Sequence, residues 1–409
     1  MENTVDLHLA SPHINHIGTL TRLDPEAQHP KEYREKQRTL NCTPTTILER
    51  IDHFTWAWFT LTMSTGGIAL LLSSQPHTFD GLITIGKVVY IFDLVLFVLL
   101  TILISVRFIR KPSRLRSSME HPTESLFIPT FFLSIPTIIG CMQRYGVPST
   151  GPWLIVTVRI LFWMYVASAF FLAVVQYWFL FTGHQLTTQS MMPSWLLPVF
   201  PIMLSGTIAS VISPTQPPYQ RLPIMVAGMT FQGLGFWVAI IMYPIYIGRL
   251  MESGLPGPNL RPGMFIAVGP PSFTALALIG ISRSIPADYG YFAIYPSSVE
   301  TLQQLALAFA IFIWALAFWF FCISLLSVLA EGLSMSFHLV WWAFVFPNTG
   351  FTIAVIEIGQ ELRSNAVTWV GSILSILLVA IYLFVLGSHV YAVLTKQILW
   401  PGKDEDKDE

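Results

Sequence analysis

The sequence predicts an all-α integral membrane protein: ten transmembrane helices forming five helical hairpins, the odd helices an inner pore ring and the even helices an outer ring. Three observations lead there. First, 53% of the 409 residues are hydrophobic and only 11% are charged, against roughly a quarter charged in a typical soluble domain. The mean hydropathy is +0.61, more apolar sequence than a soluble core absorbs. Second, ten apolar segments reach the roughly 20 residues needed to cross a bilayer as a helix. Third, backbone breakers fall inside every odd segment and near the ends of the even ones.

The segments are expected at 54–73, 82–109, 125–142, 151–181, 194–213, 222–250, 262–282, 301–330, 335–359 and 365–396. Short loops join them, so neighbours should pair as helical hairpins. Flanking this core, residues 1–50 read as a disordered cytosolic tail and 397–409, ending GKDEDKDE, as a charged one. The polar start of the chain does not resemble a cleavable signal peptide. Asn41-Cys42-Thr43 is a glycosylation sequon that works only in a lumenal tail. Arg107, Arg110, Lys111, Arg114 and Arg116 follow the second segment, while the opposite loops hold only scattered Arg144, Arg221, Arg283 and Arg363. That bias puts both termini in the cytosol.

The breakers in the odd segments are Gly66-Gly67, then Pro129 and Pro136, then Pro198, Pro201 and Gly206. Gly269-Pro270-Pro271 follows in the seventh segment, and Pro347 with Gly350 in the ninth. In the even segments Pro152, Pro223 and Pro244 lie near the ends. A lipid-facing helix must satisfy its backbone internally; a broken one is tolerated against protein or a watery cavity. Five odd helices should therefore line a passage, with the even helices shielding them. Membrane helices in general carry extra Pro and Gly; it is the confinement to odd positions that argues for a passage.

Hydroxyls and small residues decorate these breaks: Thr62, Ser64, Thr65 and Gly66; Ser205 and Thr207; Ser272 and Thr274; Asn348 and Thr349. Acidic residues are nearly absent there, which disfavours a cation path. Hydroxyls and the N-terminal amides of half-helices suit an anion. Arg144 and Arg283 end the third and seventh segments, where they would form a cationic outer vestibule or snorkel to the interface. Phe346, directly before Pro347, is placed to plug a narrow path, although an aromatic on a membrane helix more commonly packs. Lys87, Asp93, Arg107 and Arg159 lie on even segments and are expected to snorkel or pair between helices. Gln176 and Gln232 should hydrogen-bond between helices.

Several classes are excluded. Cys42, Cys141 and Cys322 match no zinc or disulfide spacing. Walker, HExxH and GxSxG motifs are missing, so no cofactor, no metal and no soluble enzyme chemistry is expected. A formal net charge of −1 with no basic stripe gives no reason to expect nucleic acid.

Three stretches carry a family likeness: HFTWAWFTLTMSTGGIALLL in the first segment, VGPPSFTALALIG in the seventh and WWAFVFPNTGFTIA in the ninth. Together they resemble the tellurite-resistance/dicarboxylate transporter family, and within it the fungal malate and C4-dicarboxylate permeases, from Asp52 to Thr395. The resemblance implies a homotrimer with one pore per protomer and a phenylalanine gate matching Phe346. It also implies that Asn348 and Thr349 belong to the conducting path. Channel-type relatives carry a more apolar residue where Asn348 stands, which favours a carrier here. Transport of a malate or succinate monoanion, or co-transport with protons, are both open. So are a sulfite or small-anion exporter, a non-transporting receptor on the same scaffold, and a channel gated by phosphorylation of Ser11, Thr19, Thr21, Thr39, Thr43, Thr45 or Thr46.

Overall fold

The computed structural model describes residues 50–121, 123–183, 187–332 and 335–400. Both tails, with Asn41, Cys42 and the candidate phosphorylation sites, lie outside the described residues apart from 397–400. Every regular element among the described residues is helical.

Ten spans are long and apolar enough to cross a membrane: Trp56–Ser73, Leu82–Arg110, Glu124–Ser149, Trp153–Gly183, Pro193–Thr215, Pro218–Ser253, Pro258–Arg283, Ser297–Glu331, Leu339–Glu361 and Asn365–Leu394. They separate into two kinds. In the odd spans 61% to 89% of the most apolar stretch is buried within the protein; in the even spans the range is 17% to 33%. The even spans expose rows of large apolar side chains, such as Ile91, Val95, Val98 and Ile102 on the second. Water would not tolerate so much contiguous apolar surface, whereas lipid does. Each odd span packs on the even span that follows it and on the next odd span, and the ninth also packs on the first.

The odd spans share one construction. Each begins with a 3-10 segment and continues as an α-helix: Trp56–Trp58 into Phe59–Ser73, Glu124–Phe127 into Ile128–Cys141, Pro193–Val199 into Phe200–Ile212, Pro258–Val268 into Gly269–Arg283, and Leu339–Phe344 into Phe346–Glu361. In the last four a proline stands at the start of the α-helix, as Pro129, Pro201, Pro270 and Pro347. Proline is tolerated there because the first helical N–H groups have no intrahelical acceptor. The break therefore sits at these junctions. It does not sit at Gly66-Gly67, Pro136 or Gly206, where the α-helix runs through.

Those glycines serve close packing. A Cβ on Gly66 would meet Thr137 Oγ1 at 2.4 Å and Asp93 Oδ2 at 2.7 Å, and one on Gly350 would meet the Phe273 ring at 2.7 Å. Removing the side chain lets two helices and a third residue share one place.

The end of the protein bearing the basic cluster is tied by charge. Arg107 is 3% exposed and donates to Glu124 Oε1 at 2.5 Å and to the Phe54 carbonyl at 2.6 Å. Lys111 Nζ donates to Asp52 Oδ2 at 2.6 Å, and Arg114 donates to the Asp52 carbonyl. Burial pushes the Asp52 carboxyl up, but the Lys111 hydrogen bond and the charges of Arg114, Lys111 and Arg110 outweigh it and hold it below the usual carboxylate range. A lowered folded-state pKa means a contribution present at neutral pH and lost as pH falls through that lowered value. The melting temperatures of the wild type and Asp52→Asn should therefore differ at neutral pH and converge in acid; a pH-independent gap would contradict the ion pair's role.

Candidate conduction pathway

The five junctions between 3-10 segment and α-helix surround one small cavity. Its lining takes Thr60 and Met63 from the first span, Phe127 and Thr130 from the third, and Leu197 and Phe200 from the fifth. Ile266 comes from the seventh, and Val340, Ala343, Phe346 and Pro347 from the ninth. The volume is about 20 Å3, room for roughly one water and far too little for an organic anion.

Phe346 and Phe200 of this lining meet a third ring, Phe273. Phe346 is 1% exposed. It lies 5.2 Å from Phe273 at 28° and 6.0 Å from Phe200 at 66°; Phe200 and Phe273 are 5.8 Å apart at 72°. These are favourable offset and edge-to-face geometries, supplied by three different odd spans. Sequence reasoning singled out Phe346 and missed its partners. A signal for Phe200 existed: Phe200-Pro201 repeats the dipeptide Phe346-Pro347. Phe273 could be found only from the packing of Gly350, whose missing side chain admits its ring.

Of the expected site residues Phe346 lines this cavity; the expected polar residues are not in its lining. The Thr349 hydroxyl donates to the Phe346 carbonyl at 2.6 Å, and a Cβ on Gly67 would stand 3.1 Å from Thr349 and 3.5 Å from the Phe346 ring. Asn348 Nδ2 donates to the Phe344 carbonyl at 2.9 Å, while its Oδ1 has no partner among the described residues. Ser64 donates to the Trp342 carbonyl at 3.4 Å, joining the first span to the ninth. Ser272 donates to the Val268 carbonyl at 2.7 Å. Ser205 Oγ and Thr207 Oγ1 have no hydrogen-bond partner among the described residues.

Others turn toward the even spans. Thr65 Oγ1 lies 3.2 Å from the Tyr382 hydroxyl of the tenth span. Gly66 faces Asp93 and Thr137. Thr274 accepts from Gln232 Nε2 of the sixth span at 2.8 Å. Gln176 Nε2 donates to the Ser125 carbonyl at 2.5 Å, so both glutamines link helices as expected. Arg144 is exposed in the π-turn Met142–Gly146. Arg283 pairs with Glu357 and Glu361 of the ninth span, so its charge is matched by two carboxylates.

Asp93 departs most from expectation. It neither snorkels nor pairs: it is 0% exposed, and neither carboxyl oxygen has a hydrogen-bond partner among the described residues. The buried stripe of its span runs Gly86, Asp93, Leu100, Arg107, a seven-residue step that keeps one helix face inward. That spacing was readable; the assignment of charged residues to the lipid side overrode it.

The cavity is lined by all five odd spans, is largely apolar, and lies where the α-helical parts of those spans begin. Residues 53–390 match the model of the SLAC1 family, described as voltage-dependent anion channels.

The chain belongs to the SLAC1 family.

This family includes the tellurite-resistance/dicarboxylate transporters that the three motifs resembled. Among individual SLAC1-family relatives, the malic acid transport protein of Schizosaccharomyces pombe is 41% identical over 88% of this chain and 83% of its own length. A putative malic acid transport protein of the same organism is 38% identical over 88% of this chain and 85% of its own length. The sulfite efflux pump SSU1 of Trichophyton rubrum is 25% identical over 85% of this chain and 93% of its own length. The chain is thus a multi-pass membrane protein of an anion-transport family.

Proposed function

We propose that this protein carries C4 dicarboxylates, malate and succinate among them, across the plasma membrane through the passage between the odd spans. The observation that carries the reading is the small cavity lined by all five odd spans, bordered by Phe346, which packs on Phe200 and Phe273. In this reading the odd spans form the pore ring, the even spans face lipid, and Phe346 is the gate. Both termini are cytosolic. Three protomers associate, each with its own passage, as the family resemblance implies. The substrate crosses as a monoanion or with protons. Higher identity to the two malate-named relatives than to the sulfite pump favours a dicarboxylate. The second reading, export of sulfite or another small inorganic anion, rests on the match to the sulfite pump. A gated anion channel of the same fold is a third outcome of the assay.

Uptake of labelled malate into proteoliposomes tests this. Malate uptake suppressed by succinate and not by sulfite is expected. Sulfite or chloride flux without malate uptake would move the protein to the inorganic-anion branch.

Asn348 Oδ1 and the Thr349 hydroxyl are the polar groups beside the gate. Replacing Thr349 with valine keeps its shape and removes one hydrogen bond, worth about 0.5–1.5 kcal/mol. The malate KM should rise roughly two- to twelvefold by that energy. An unchanged KM with normal expression would remove Thr349 from the site.

A further inference from the structure

The transport reading does not use the buried carboxyl on the second span. Asp93 is 0% exposed, and neither oxygen has a hydrogen-bond partner among the described residues. The other acids that the odd spans or their ends bury are paired: Glu124 with Arg107, and Glu357 with Arg283. An unpaired carboxyl inside a membrane span is costly to keep and marks a functional site by default.

Its surroundings add a route and a readout. The titratable groups that face it are Tyr90 on its own helix, Cys141 on the third span and Tyr382 on the tenth. Tyr145, at the end of the third span, stacks on Tyr90 at 6.1 Å. The first span, which packs closest, carries no titratable side chain. Lys87 on the same helix is exposed. The exposed Arg144 acts by charge on Tyr145.

The candidate route is a row of hydroxyls on one face of the third span, Thr130, Ser134 and Thr137, at steps of four and three residues, each donating to a main-chain carbonyl. Thr130 lines the central cavity. Thr62 Oγ1 lies 2.6 Å from Ser134 Oγ midway. Thr137 Oγ1 and Asp93 Oδ2 crowd the same Gly66.

The readout is the Gly66-Gly67 pair. Gly66 is in contact range of the carboxyl, and Gly67 is in contact range of Thr349 and the Phe346 ring. One peptide unit therefore separates Asp93 from the gate. A unit charge gained or lost in so dry a place acts strongly on its neighbours.

We propose that Asp93 is the proton-binding site through which a proton gradient drives or gates transport. A hydronium ion reaching the central cavity gives up one O–H proton, which bonds to an Asp93 carboxylate oxygen and neutralises it, leaving water behind. On release the carboxyl O–H breaks, the proton returns to a water as hydronium, and the carboxylate charge is restored. The change is read at Phe346 through Gly66-Gly67. Asp93 is a positioning residue here: it touches the proton and not the anion. The inference rests on the transport reading above.

The test compares wild type with Asp93→Asn, both full-length, in liposomes. An inward proton gradient should accelerate malate uptake by wild type. In Asp93→Asn uptake should be the same with and without the gradient, while malate–malate exchange across the bilayer persists. Gradient stimulation equal to wild type in Asp93→Asn would overturn the proposal. If wild type carries no malate, the transport reading falls, and infrared spectra still decide on Asp93. A carboxyl C=O band that titrates in wild type and is missing in Asp93→Asn supports proton binding; identical titrations overturn it. If Asp93→Asn does not yield folded protein, carbodiimide labelling of wild type replaces it. Labelling at Asp93, read by peptide mass spectrometry, should abolish gradient stimulation, and full stimulation after complete labelling there would overturn the proposal.

Discussion

Replacing Phe346 with alanine is expected to raise the basal anion leak. The ring packs on both Phe200 and Phe273, and it borders a cavity of about 20 Å3. In the proposed reading truncation opens the path because it leaves a hole the size of a phenyl ring beside Phe200 and Phe273, which already touch edge to face at 5.8 Å. Truncating a buried phenylalanine also costs about 3–5 kcal/mol of stability, so the measurement must separate a leak from damage. Basal anion efflux from proteoliposomes should rise in Phe346→Ala and fall back in Phe346→Leu, which refills much of the volume. Melting temperature, measured on the same samples, should be lowered in Phe346→Ala without loss of the folded peak on size exclusion. Unchanged basal flux in folded Phe346→Ala would return the ring to a packing role.

A comparable loss of stability is expected where Arg107 meets Glu124. Arg107 and Glu124 form an ion pair at 2.5 Å with both side chains nearly sealed, and Arg107 also holds the Phe54 carbonyl ahead of the first span. Removing one partner strands the other charge in a dry site, at a cost of about 3–5 kcal/mol. Glu124→Ala should therefore sharply lower the melting temperature in detergent. The double variant Arg107→Leu/Glu124→Leu removes both charges and should recover much of the loss, since a buried pair is often replaceable by apolar groups. A double variant no more stable than Glu124→Ala would show that the Phe54 contact, and not the pair, holds this corner.

The expectations that held were those that depend on burial and length. Ten spans were legible because a bilayer demands about 20 apolar residues wherever a helix crosses it. The odd–even difference was legible because prolines such as Pro201 and Pro347 cluster in the odd segments; the rule is not strict, since the even helix Pro218–Ser253 carries exposed Pro223 and Pro244 within it. The exact seat of each break was not. Gly66-Gly67 reads as a breaker in one dimension, yet α-helix Phe59–Ser73 runs through it. Its purpose, the close approach of Asp93, Thr137 and Thr349, involves residues far away in the chain.

The sequence by itself determined the class of the protein, its spans and the two kinds of helix. Each of these follows from local composition and from the chain's need to satisfy its own backbone in lipid. Only the tertiary structure decided which polar groups meet. It matched Arg283 with Glu357 and Glu361, turned Thr65 and Thr274 toward the even spans, and joined Phe346 to Phe200 and Phe273. It also buried Asp93 behind the first span. The reason is physical: a side chain's partner is set by helix rotation and packing distance, and neither quantity is written in the order of residues along one segment.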